Sequence, residues 1–156
     1  MQTRTASLSL LALVLVTACA APAASPTTPA SPTPKPLATI TITAPKAGAT
    51  VAIGDVVVTY DVSDVTLVPA ASAQKPEDYH LHAAMDMDTS VWIGTGVPVP
   101  AANQNPYPTR LIHTAAKTVT FTTVAAGEHT VTVWLSLASH VSVKPPVSAT
   151  VKFTVK

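Results

Sequence analysis

Five histidines, His80, His82, His113, His129 and His140, are the side chains in this sequence best suited to hold a metal ion. Neutral imidazole ligates Zn²⁺ and Cu²⁺ through either ring nitrogen. His80 and His82 stand two apart in Tyr79-His80-Leu81-His82-Ala83-Ala84-Met85, a segment expected to be extended. On a strand they point the same way with Cα atoms about 6.5 Å apart, close enough for both rings to meet one ion. Asp86 and Asp88 share that face. Asp86 nevertheless lies about 13 Å along from His82, outside one coordination sphere unless the strand bends. The other face, Tyr79, Leu81, Ala83, Met85 and Met87, reads as core. His113 closes a proline-rich stretch, His129 starts a Val/Thr strand just after Gly127, and His140 follows that strand's end. Singly, each of these three suits a half-buried histidine bonded to a backbone carbonyl. As a set with the H-x-H pair, they describe a metal site at the rim of a β-sheet.

The rest of the sequence narrows the chemistry. Cys19 is the single cysteine, so the folded part has neither a thiolate ligand nor a disulfide, and a blue-copper centre is excluded. No G-x-S-x-G or H-E-x-x-H occurs, no carboxylates pair at a suggestive spacing, and Ser139-His140 is adjacency rather than a triad. The expectation is a protein that is not an enzyme. The formal net charge is +1 and the lysines and arginines are scattered singly, which argues against a nucleic-acid partner.

The elements that must position the histidines follow from composition and periodicity. Residues 1–18 read as a lipoprotein signal peptide, with Arg4 before an apolar run from Leu8 to Val16 and the small residues Thr17-Ala18 before Cys19. Cys19 is the expected lipidation site, which would tether the chain to the extracytoplasmic face of a cell membrane. Residues 19–36 form a Pro/Ala/Ser/Thr-rich linker with prolines at 22, 26, 29, 32, 34 and 36, suited to a spacer.

Residues 37–156 form the folded domain. Alternation of period two over Ala38 to Thr43, Asp55 to Val62, Tyr79 to Met87, Thr118 to Thr123, His129 to Leu137 and Ser148 to Val155 predicts strands, with shorter ones near Val51, Val65, Trp92 and Val141. About seven or eight short strands in this length predict an all-β, immunoglobulin-like antiparallel β-sandwich, an open Greek-key barrel being the alternative. The longest stretch without strand pattern, Gly94 to Thr114, reads as a solvated crossover between sheets. Only Pro69 to Lys75 could hold a short helical turn.

Four motifs carry a family resemblance over roughly Tyr79 to Val155: the His80-Leu81-His82 strand, His113 before a strand, Gly127-Glu128-His129-Thr130-Val131, and His140 with Pro145-Pro146. On these the chain resembles small exported bacterial domains of unknown function. Members often carry three adjacent histidines where this chain has H-L-H. The resemblance implies a fold and a site location rather than a reaction. Together these readings predict a lipid-anchored envelope protein binding a divalent metal, Cu or Zn, through His80, His82, His113, His129 and His140. The alternative is a non-catalytic structural or protein-interaction module in which the histidines are structural. The protein partner is not specified by either reading.

Overall fold

Val56, Val58 and Tyr60 point one way along a strand and Val57, Thr59 and Asp61 the other; the computed structural model buries the first set and leaves the second at or near the surface. That one-sided burial is what a sheet packed by a single face requires. The structure describes residues 38–156, which lie within one compact unit. The signal-like segment 1–18, Cys19, the linker 19–36 and Leu37 lie outside the described residues.

Eight strands run in chain order: β1 Thr39–Ala44, β2 Thr50–Val51, β3 Gly54–Ser63, β4 Tyr79–Met85, β5 Leu111–Thr114, β6 Thr118–Val124, β7 Gly127–Leu137 and β8 Ser148–Val155. They form a three-stranded sheet, β1-β3-β6, and a five-stranded sheet, β2-β8-β7-β4-β5. Pairing is antiparallel except for β2 with β8, two residues that run parallel. The inner faces meet over one core that includes Tyr60, Leu81, Phe121, Val133 and Phe153. This is an immunoglobulin-like β-sandwich held by apolar packing, and its two separate sheets replace the open Greek-key barrel that was the alternative. Among the described residues, no helix is long and apolar enough to cross a membrane.

Several local expectations need correction. Only a one-residue bridge, Leu67 with Tyr79, forms near Val65; Trp92 sits in a turn; and near Val141 the extended contact is a single Ser136–Ser142 bridge. β4 stops at Met85 because Asp86 takes a positive φ of 50°. That break turns Met87 away from the main core and onto a second apolar cluster with Ala84, Val99, Leu111 and Trp134. The stretch from Gly94 to Thr114 is not a crossover between sheets. Its last residues form β5, which pairs with β4, so the whole segment leaves and re-enters one sheet. Asn105 and Arg110 hold this excursion in place: Asn105 Nδ2 donates to the Leu111 carbonyl at 2.6 Å, and Arg110 Nε to that of Met85 at the end of β4 at 3.1 Å. The helical turn expected between Pro69 and Lys75 is a 3₁₀ turn, Ala70–Ser72.

Candidate metal centre

A strand buried on both faces is unusual for an antiparallel sheet, and β4 is one: from His80 to Met85 every residue is buried. Leu81, Ala83 and Met85 face the sandwich core. His80 and His82 face the opposite way, yet each has 0% of its surface exposed. Two loops cover them. The excursion after β4 brings Val99, 2% exposed, against the sheet, and its amide donates to the His140 carbonyl at 3.0 Å. The Gly94 amide donates to Ser142 Oγ at 3.0 Å. Gly94 itself has φ +76°, and a Cβ there would come within 2.9 Å of the Pro146 ring, so glycine is needed where the two loops meet.

Register then assembles the site. His82 lies opposite His113 on β5 and opposite Trp134 on β7, while His80 lies opposite Ser136. His140 enters from the loop after β7 in the left-handed region, φ 63°. The four rings of His80, His82, His113 and His140 pack with centroids between 4.4 and 6.1 Å apart. Ring nitrogens of His80, His82 and His140 lie within 4.8 Å of one another. One point is therefore within about 3 Å of all three, against metal–nitrogen bonds of about 2.0–2.1 Å. His80 Nε2 and His82 Nε2 are 3.3 Å apart. Two nitrogens on one tetrahedral ion stand about 3.4 Å apart.

Hydrogen bonding leaves this cluster unfinished. His82 Nδ1 is 2.9 Å from Ser136 Oγ; with the Nδ1 proton donated there, Nε2 keeps its lone pair toward His80. His113 donates to the Pro100 carbonyl, and its Nε2 has no partner. His80 Nδ1, His140 Nδ1 and Trp134 Nε1 are likewise buried without partners. Each such atom costs about 1–3 kcal/mol to bury, and three of the four are histidine nitrogens, a type of atom that can ligate a metal. Burial pushes the His80 imidazole down to about 4, helped by His140 and His113. Burial lowers His82 further, with repulsion from His80, His113 and His140 added. Burial also lowers His113, with His140 adding to it, and His140. All four are thus neutral at pH 7, the form that ligates metal.

His129, expected in the set, lies elsewhere. Its side chain is on the core-facing side of β7 at the strand's start, against Phe153. Both ring nitrogens are engaged: Nδ1–H donates to Asp86 Oδ2 at 2.7 Å and Nε2–H to the Ala125 carbonyl at 3.0 Å. Asp86 Oδ1 also accepts the Thr130 amide at 2.8 Å. The bend at Asp86 carries this carboxylate to His129, not to His82. The hydrogen bond to Asp86 raises the His129 pKa against the opposing pull of burial, and the Ala125 carbonyl adds to the rise. This clasp is fully present below the ordinary histidine pKa of about 6.5 and is lost as pH climbs through the raised value. Asp86→Asn, which tolerates the positive φ, is expected to destabilise by about 1 kcal/mol, the pair being partly exposed. Thermal melts should show a larger loss at pH 6 than at pH 8, with metal affinity unchanged.

Two site residues were not found by the sequence reading, Trp134 and Ser136. Both sit on the β7 face opposite Val131, Val133 and Leu135, the face turned away from the sandwich core. A tryptophan on that face was the signal. Trp134 stacks on His82 with centroids 5.2 Å apart, and Trp92 lies nearly parallel to Trp134 at 6.1 Å and 9°.

No protein-family model matches the chain, and no curated protein does. Among solved structures it is similar to an engineered protein, at 14% identity and a TM-score of 0.44 over 79% of this chain. That match takes in 21% of the engineered protein, so the chain spans about a fifth of its length. It is also similar to the PKD domain of human KIAA0319, at 15% identity and a TM-score of 0.35, covering 81% of this chain and 88% of that one.

Proposed function

We propose that this β-sandwich is a metal-binding module of the cell envelope, holding a copper or zinc ion at His80, His82 and His140 with His113 as a fourth nitrogen. The observation that carries the reading is the convergence of these rings in a buried site where His80, His113 and His140 each leave a nitrogen unpartnered. Three of the four motifs behind the family resemblance, H-L-H, His113 and His140, meet there. The fourth, at His129, braces the sheet instead. Among the described residues no carboxylate joins the converging histidine nitrogens, which favours binding over catalysis. Cys19 after an apolar run supports a lipid anchor, with the Pro-rich segment as spacer between membrane and domain.

The chain has two tryptophans, and both belong to the stack on His82. Their fluorescence should therefore report metal binding directly. Titration of the full chain carrying Cys19→Ser with Cu²⁺ is expected to quench emission at one equivalent, and Zn²⁺ should compete. A dissociation constant weaker than about 10 μM for both ions, or one unchanged by His80→Ala with His82→Ala, would overturn the reading.

A further inference from the structure

The ligand set carries no charge of its own. Among the described residues, the converging ligand atoms are histidine nitrogens alone. Carboxylates near in sequence are committed elsewhere. Asp78 accepts the Gln74 and Lys75 amides, Asp86 holds His129 and Thr130, and Asp88 accepts from Ser90. The inner side of the site is closed: His80 and His82 have no exposed surface, and the Trp134 ring lies against His82 with Trp92 behind it. A bound ion would keep its whole formal charge in that setting, with an aromatic wall in place of a compensating anion. The cost of burying an ion grows with the square of its charge, so a divalent ion costs about four times as much as a monovalent one.

We propose that the centre is selective for Cu(I) over divalent ions, the cuprous ion being the cargo of this domain; the inference rests on the metal reading above. Imidazole is an accepted copper ligand. Cu(I) needs only two to four donors, which His80, His82, His140 and His113 supply without any anion. Among divalent ions Cu²⁺ binds nitrogen sites more tightly than Zn²⁺, so Cu²⁺ is the competitor that decides the matter.

The test uses the full chain with Cys19→Ser, which removes the one thiol that would itself bind Cu(I). Cu(I) is titrated without oxygen against a chromophoric cuprous chelator, and Cu²⁺ and Zn²⁺ against chelators of their own. The expected result is Cu(I) bound on the order of a hundredfold more tightly than Cu²⁺. At 59 mV per decade, that raises the one-electron potential of the bound couple by about 120 mV. His140→Asp gives a second arm. His140 is only half-buried and its positive φ suits aspartate, so the variant should fold, as a thermal melt checks. Its added charge should move the preference at least about tenfold toward the divalent ions. Tighter Cu²⁺ or Zn²⁺ than Cu(I), or a ratio that His140→Asp leaves unmoved, overturns the selectivity while leaving the metal centre standing. Failure to bind any of the three ions removes the centre itself.

Discussion

Leucine at both His80 and His82 is expected to make the ion-free protein more stable than the parent at pH 5, while abolishing metal binding. The parent buries two imidazoles in neutral form, with His80 held at about 4 and His82 lower. An unfolded histidine protonates near 6.5, so between about 6.5 and 4 the unfolded chain binds protons that the folded one refuses. Stability is therefore full above about 6.5 and drains away as pH falls toward 4. The loss from His80 alone reaches about 3 kcal/mol at the bottom of that window and about 2 kcal/mol at pH 5. Leucine fills a similar volume, removes the unpartnered His80 Nδ1 together with the His80–His82 hydrogen bond, and leaves Ser136 Oγ without its partner, at about 1 kcal/mol. The double variant should melt about 5–10 °C above the parent at pH 5, with a flatter pH profile below 6.5. Were the histidines there to brace the fold, the variant would melt lower than the parent at pH 5 and at pH 8 alike.

Copper should raise the melting temperature of the Cys19→Ser chain at pH 7.5 by about 10 °C or more. A ligand that binds only the folded state at a thousand times its dissociation constant contributes about 4 kcal/mol, and a domain of this size shifts by about 3–5 °C per kcal/mol. The ion would also draw on the lone pairs of the clustered ring nitrogens of His80, His82 and His140. Protons and metal compete for those nitrogens, so the shift should shrink as pH falls toward about 4, where the His80 imidazole takes up its proton. Calorimetric or fluorescence melts at several copper concentrations measure it. A melting point independent of copper concentration, or a shift that survives in the His80/His82 double variant, would count against the cluster as the binding site.

The strands were legible because burial writes itself into alternation. The rows Val56, Val58, Tyr60 and Val151, Phe153, Val155 are buried as the period of two requires. β5 was missed because its four residues, Leu111–Thr114, follow four prolines and are too few to show a period. The H-x-H pair was legible for the same reason as the strands: two residues of a strand share a face whatever packs on it. His129 was misplaced because a strand-start histidine reads alike whether it points at a cluster or at its own sheet. Only the bend at Asp86, a single positive φ, decides that its carboxylate reaches His129 instead of the face that carries His80 and His82.

What the sequence determined by itself is therefore local: which segments extend, that His80 and His82 project together, and that no thiol other than Cys19 exists to join them. Tertiary structure decided which histidines complete the set. Sheet register puts His113 beside His82 at a separation of 31 positions, and two loops fold over the face to add His140 and exclude water. Those contacts depend on pairing between distant strands and on loop-to-loop hydrogen bonds, which no periodicity along the chain encodes. The neutral, closed character of the site follows from that burial, and it turns five histidines in a sequence into four that face one another and one that does not.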